Sequence, residues 1–331
     1  MATKVFFYTL RPYDELGIAQ RLAPKMDIEF GYSQDYPTLE NAELAKGYDA
    51  VSVTPCDMSA PMVKRFHELG IKSICCRSIG YDHVDRETAR ALGMKVANVD
   101  YPPNGVANFA IMLMLMGLRK AGHILKRGEA QDYSLKGKIG RDISGCTVGV
   151  IGTGRIGRTV LQHLSGFGCR LLAYDLYPND EVKKIAEYVP LETLLKECDV
   201  ITLHTNATAE NHHLIDAKAI ETMKPGAVII NTARGKLIDS DALIAGLESG
   251  KLGGAALDVL ENENGLYYYN RMGDVIPNPE LAALRSMPNV ILTDHTAFYT
   301  EEDVESMVRG VLESADAFAK GQPTRHDVTN L

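Results

Sequence analysis

The sequence predicts an α/β protein with two doubly wound parallel-sheet domains. Three observations carry this reading. The 331 residues suffice for about two domains, each with its own core. Two series of short apolar runs follow one another, and most are continuous rather than alternating, as strands covered on both faces require. Helix-compatible segments separate most of them, and a repeated strand–helix order folds through right-handed crossovers.

The first series comprises residues 5–10 (VFFYTL), 28–32 (IEFGY), 50–54 (AVSVT), 73–77 (SICCR) and 95–99 (KVANV). Helices are expected over 60–69 and 84–92 between its members. "YPPNG" at 101–105 then reads as a linker. It leads into 106–118, "VANFAIMLMLMGL", with Asn104 as a candidate N-cap. That helix is too short to cross a membrane, which takes roughly 17–25 residues, so its apolar surface is expected inside the protein or against a partner subunit. The second series comprises 147–152, 170–175, 200–205, 227–232, 253–259 and 289–293, with helices expected over 158–167, 191–197 and 240–249. Residues 261–280 break the rhythm and read as a surface insertion or part of a site.

Composition narrows the function. A net charge of -8 argues against a nucleic-acid surface, and there is no long run of like charge. The six cysteines lack CxxC or Cys/His ligand spacing, so neither a metal nor a disulfide framework is expected. They suit a reducing cytoplasm, and "MATKVFFYTLRPYDE" lacks the apolar core of a secretory leader.

"TVGVIGTGRIGRTV" places Gly152, Gly154 and Gly157 in a G-x-G-x-x-G pattern between a strand and a helix. In that setting the first glycine makes the tight turn, the second admits a pyrophosphate, and the third lets helix and strand approach. Arg155 and Ile156 would flank the phosphates. Asp175 ends the next strand, 175 − 152 = 23 positions on, where an acid bonds ribose hydroxyls and repels a 2′-phosphate. With no Arg or Lys in 176–181 to offset it, NAD is favoured over NADP.

Ligands of open α/β sheets bind beyond the carboxyl ends of the strands. Those ends carry Arg234, Asp258, and Asp294 with His295; Glu263 follows Asp258 at the start of the irregular stretch. Each has a plain alternative. Arg234 could pair at the surface, Asp258 could cap a helix, Glu263 could be a solvated acid, and His295 could point at water. Together, beside a dinucleotide loop, they suggest more. Hydride exchange at a carbon bearing oxygen requires a proton at that oxygen, which an imidazole can exchange near neutrality. A carboxylate such as Glu263 would orient the imidazole. Arg234 offers a planar fork for a substrate carboxylate. The set points to a 2-oxo acid and its 2-hydroxy acid.

"RSIGYDHVD" at 77–85, "VGVIGTGRIG" at 148–157, "INTARGKLIDSDAL" at 230–243, "GKLGGAALDV" at 250–259 and "HTAFYT" at 295–300 span nearly the whole chain. With these motifs the chain resembles the D-isomer-specific 2-hydroxyacid dehydrogenases, most closely their D-lactate dehydrogenase branch, including the vancomycin-resistance members. The resemblance implies a Rossmann NAD domain over 101–299, inserted into a flavodoxin-like substrate domain formed by 1–100 and 300–331. It implies that Arg234 binds the carboxylate and polarises the ketone, that His295 is the general acid/base, and that Glu263 is its partner. It implies that His204, Thr205, Asn206, Asn211, Thr232 and Ala233 surround the cofactor and that Asp258 meets the nicotinamide carboxamide. The main chain at Ser78, Ile79 and Gly80 would hold the substrate carboxylate, with Tyr101 and Tyr299 lining the pocket; a packing role for the aromatic residues stays equally open. The 104–120 helix would serve a hinge and a homodimer interface. Two positions depart from the family pattern. Asp294 stands where many relatives have proline, and Thr205-Asn206 where many have Val-Pro.

The expected activity is reversible NADH-dependent reduction of a 2-oxo acid to the D-2-hydroxy acid, with pyruvate, 2-oxoisocaproate and phenylpyruvate all open. The competing expectation is an NADH-responsive, co-repressor-like binding protein without significant turnover.

Overall fold

The computed structural model describes residues 2–263 and 265–331; Met1, and Asn264 within the irregular stretch, lie outside the described residues. The chain divides into two compact units, Met1–Pro102 with Tyr299–Leu331, and Pro103–Phe298.

The first unit holds β1 (Thr3–Phe7), β2 (Ile28–Tyr32), β3 (Ala50–Val53), β4 (Ser73–Cys76) and β5 (Lys95–Ala97). They form one parallel sheet in the order β2-β1-β3-β4-β5. Every residue of β3 and β4 is buried, as their unbroken apolar sequences demand. Met62, Val63 and Phe66 of helix Ala60–Glu68 join Phe6, Val51, Val53 and Ile74 in one core. The long helix Glu301–Ala319 also packs on this sheet, so the chain's last segment belongs to the fold of its first hundred residues.

At the carboxyl ends of these strands lies a fully buried cation. Arg77 is 0% exposed. It donates to Glu15 Oε1 at 3.1 Å, Ser52 Oγ at 2.7 Å, and the carbonyls of Tyr8 and Thr9 at 2.7 and 3.1 Å. One guanidinium thereby ties the ends of β1, β3 and β4 together, and holds Thr9 in a left-handed backbone pose. Such a buried group is tolerable only because each of its faces is paired.

The second unit holds β6 (Thr147–Ile151), β7 (Arg170–Tyr174), β8 (Glu187–Tyr188), β9 (Val200–Leu203), β10 (Ala227–Asn231), β11 (Leu252–Leu257) and β12 (Val290–Leu292). The parallel order is β12-β11-β10-β9-β6-β7-β8. This is a doubly wound Rossmann order with one strand added beyond β11. Its direction of winding reverses between β6 and β9, which opens a crevice at their carboxyl ends.

All eleven predicted strands form, and all but β2 stop one to three residues short of their expected ends. In the second unit those residues open the loops that carry Gly152, Asp175, His204, Thr232 and Asp258. Three local expectations change. Helix Asn104–Leu118 is capped by Pro103, whose fixed φ of -71° presets the first turn; Asn104 is already helical and caps nothing. The dinucleotide helix begins at Arg155, not Arg158. A further helix, Pro279–Ser286, closes the irregular stretch, capped by Asn278. Helix Asn104–Leu118 buries Val106, Ala107, Ala110, Ile111, Leu113, Met114 and Leu118, and packs on helix Arg155–Leu164 and on β10, β11 and β12. It leaves Met112 40% exposed. Among the described residues no helix is long and apolar enough to cross a membrane.

Candidate active site

The glycine loop leaves β6 through Gly152, at φ +90°. A Cβ there would stand 2.7 Å from the backbone of His204 and Thr205, so glycine is required by both conformation and space. A Cβ on Gly157 would strike the Gly152 carbonyl at 1.9 Å. Gly154 differs: a Cβ on it would meet nothing within 4 Å. The protein's own packing demands the outer glycines but not the middle one. The open space beside Gly154, at the start of helix Arg155–Leu164, fits a pyrophosphate lying on helix N–H groups. Thr232 Oγ1 is buried without a hydrogen-bond partner at the end of β10, another feature suited to a bound group. These residues therefore fit a dinucleotide.

Asp175 is held at the end of β7. Its Oδ2 accepts from Thr153 N and Oγ1 at 2.6 and 3.0 Å, and its Oδ1 from Tyr177 N at 2.8 Å. His204 pairs through Nε2 with Thr202 Oγ1 at 2.9 Å, and burial pushes its imidazole down to about 3, so the ring is neutral. Asn211 braces the following loop. Its Nδ2 donates to the Asn206 carbonyl at 2.6 Å, and its Oδ1 accepts from Thr208 N at 2.7 Å. Arg155 is exposed on the helix's first turn, while Ile156 packs on the core.

The strand order makes β10, β11 and β12 neighbours, so Arg234, Asp258 and His295 leave adjacent carboxyl ends. Buried Asn231 shapes the first loop. Its Oδ1 accepts from Ala233 N at 3.0 Å, and its Nδ2 donates to the Arg234 carbonyl at 2.9 Å. The next residue, Gly235, lies so close to the loop after β11 that a Cβ would meet Leu260 C at 2.0 Å. Arg234 is thus carried against the segment that leads to Glu263. Its Nη1 donates to the Ala233 carbonyl at 2.8 Å.

His295 Nδ1 lies 2.8 Å from Glu263 Oε1. Glu263 is itself fixed, its Oε2 accepting from Leu260 N at 2.9 Å. A carboxylate on Nδ1 selects the tautomer that carries its proton there, which leaves Nε2 for chemistry. Both side chains are 22% exposed, sheltered but reachable. His295 has φ +55°, a pose an L-residue holds only when its surroundings enforce it. The enforcement is visible: its N–H donates to the Asp258 carbonyl at 2.9 Å, and its carbonyl accepts from Tyr268 Oη at 3.1 Å. The Asp258 carboxylate accepts from Thr293 Oγ1, Thr296 N and Ala297 N at 2.6, 2.9 and 2.9 Å. Asp258 is 0% exposed, and its carboxylate builds the histidine's loop. Asp294 is exposed, and the loop is set without a proline there.

The candidates of the first unit form a separate group. After β4, the carbonyls of Ser78, Ile79 and Gly80 accept from Val99 N, Asn98 Nδ2 and Ser78 Oγ respectively. That fixes the peptide planes of the expected carboxylate loop. Tyr101 is 9% exposed. Tyr299 donates through Oη to Asp14 Oδ2, with the Arg11 guanidinium 5.4 Å from its ring centroid. Sequence reasoning missed Asn231, Tyr268, Arg11 and Asp14. Asn231 stood in a quoted motif; Tyr268 sat in a stretch with no periodicity to place it.

Residues 111–297 match the family model described as D-isomer specific 2-hydroxyacid dehydrogenase, NAD binding domain. The chain is 41% identical over 318 residues to the aromatic 2-oxoacid reductase of Clostridium sporogenes, covering 95% of this chain and 96% of that one. It is 37% identical over 318 residues to the D-lactate dehydrogenase of Lactiplantibacillus plantarum, again covering 95% and 96%. The solved structure of a D-2-hydroxyisocaproate dehydrogenase superposes with a TM-score of 0.88 at 35% identity, covering 99% of this chain and 100% of that one.

Proposed function

The chain belongs to the D-isomer-specific 2-hydroxyacid dehydrogenase family, and from that premise we propose that it reduces a 2-oxo acid to the D-2-hydroxy acid with NADH, reversibly, using His295, Glu263 and Arg234. The observation that carries the residue roles is the 2.8 Å pairing of His295 Nδ1 with Glu263 at the carboxyl edge of the dinucleotide-binding sheet. Bound NADH supplies hydride to the keto carbon. His295 gives the proton from Nε2 to the keto oxygen, and takes it back in the reverse direction. Glu263, 2.8 Å from Nδ1, holds the ring's orientation. Arg234 pairs with the substrate carboxylate and draws electron density from the adjacent ketone. From the family resemblance, Ser78, Ile79 and Gly80 are assigned main-chain contacts to the substrate, and Tyr101 and Tyr299 substrate-binding roles. Gly152, Gly154, Arg155, Ile156 and Gly157 cradle the pyrophosphate, Asp175 takes the adenosine ribose, and His204, Thr205, Asn206, Asn211, Thr232 and Ala233 complete the coenzyme site.

The named relatives act on small, branched and aromatic substrates, so the side-chain preference is a matter for assay. NADH oxidation is expected with at least one of pyruvate, 2-oxoisocaproate and phenylpyruvate, giving the D product on chiral analysis. An L product, or no turnover with any of the three, overturns the reading.

We place the enzyme in the cytoplasm, where its six free cysteines stay reduced, and propose a homodimer. Met112, Leu125, Tyr133, Leu135 and Ile139 are 40%, 63%, 77%, 87% and 84% exposed, a density of apolar surface that favours a partner. Light scattering is expected to return the mass of two chains; the mass of one removes the dimer.

A further inference from the structure

We propose that His212, His213 and Glu261 form a site for a divalent transition-metal ion of borderline softness, Zn²⁺ being the probe of choice. The absence of a metal was expected from cysteine spacing. The fold instead joins two histidines after β9 to an acid after β11, 48 positions beyond His213. One potential ligand atom from each of the three lies within 4.8 Å of the others. The two imidazoles stack with centroids 3.8 Å apart and planes 28° from parallel. His213 Nε2 is 2.6 Å, and His212 Nε2 3.7 Å, from the same oxygen, Glu261 Oε1.

These groups are prearranged. His213 stands at φ +54°, and its N–H donates to the Lys236 carbonyl at 2.9 Å, which pins the unusual backbone. Glu261 turns Oε1 toward the imidazoles; its Oε2 lies 3.1 Å from Ser240 Oγ, whose shorter contact is Glu280 Oε1 at 2.7 Å. Asp239 Oδ2 lies 3.7 Å from His213 Nδ1, on the far side of the ring from the proposed ligand atom. Metal-binding histidines commonly have a carboxylate there, which orients the ring and raises its basicity. Metal–ligand bonds of about 2.0–2.2 Å put tetrahedral ligands a little over 3 Å apart. The 2.6 Å contact must open and the 3.7 Å one close, each by less than about 1 Å, and one imidazole must turn out of the stack so that both in-plane lone pairs reach the ion. His212 is 50% exposed, so solvent can complete the coordination.

The site adjoins the catalytic pair through one peptide. Leu260 N, which precedes Glu261, donates to Glu263 Oε2, so an ion that draws Glu261 bears on the carboxylate that orients His295. Binding without substrate tests the site independently of the reaction proposed above. Equilibrium dialysis of untagged protein with Zn²⁺ is expected to give one tight ion per chain. His213→Gln, Glu261→Gln and His212→Ala are each expected to weaken it by at least about tenfold. His212 is half exposed, so its replacement keeps the fold and guards against mere unfolding; His295→Gln distinguishes this site from the catalytic pair and should bind as wild type. Retained affinity in all three site variants, affinity lost only with His295→Gln, or no stoichiometric binding overturns the proposal. A fall in kcat with Zn²⁺ that His212→Ala abolishes is the expected companion, and its absence removes the link to Glu263.

Discussion

His295→Gln is expected to lower kcat by about 10²–10⁴-fold, the usual worth of a positioned acid–base group, while NADH binds as in the wild type. Glutamine preserves a polar side chain of similar reach but has no proton to exchange near neutrality. The backbone at 295 is fixed by its own N–H on the Asp258 carbonyl and by Tyr268 on its carbonyl. Neither contact uses the imidazole, so the loop should survive the change. Stopped-flow turnover with coenzyme fluorescence titration separates the two effects. Near-native turnover would strip His295 of its role; lost NADH affinity would mean the residue supports the coenzyme site instead. The damage should exceed that of Glu263→Gln, because Glu263 acts through the ring rather than on the substrate.

How much of this could be read in advance follows from where each signal lies. The strands were legible because burial on both faces forces unbroken apolar runs, and β3 and β4 are buried at every residue. The two-residue β8 was not, since an edge pairing that short has no pattern of its own. Gly157 was legible because its closest contact, the Gly152 carbonyl, is local, and Gly152 because the tight turn it makes takes a positive φ, though its approach to His204 and Thr205 was not. The work of Asp258 was hidden: its carboxylate closes on residues 35 to 39 positions away, and no spacing rule encodes a contact made only after β11 and β12 pair. Arg77 ended a predicted strand with nothing to mark it as fully buried, for the groups that neutralise it come from three other segments. The His212–His213–Glu261 cluster stayed silent for the same reason.

Arg234→Gln is expected to cost about 2–5 kcal/mol of transition-state stabilisation, the usual penalty for removing one partner of a sheltered charge pair. That corresponds to a loss of roughly 30- to 4,000-fold in kcat/KM. The sign of the split is informative. If Arg234 only anchored the carboxylate, KM would rise and kcat would stand. Because the ketone lies next to the carboxylate in a 2-oxo acid, a guanidinium gripping one polarises the other, so kcat should fall as well. Arg234→Lys keeps the charge but loses the planar fork, and should recover only part of the loss. The loop should tolerate either change: Asn231 grips the backbone of Ala233 and Arg234, and Gly235 sets its approach to Leu260, so the side chain at 234 is not what builds it. Steady-state kinetics on the best substrate decides the matter. A glutamine variant with wild-type kcat/KM would place the substrate carboxylate elsewhere, and with it the orientation that makes the product D.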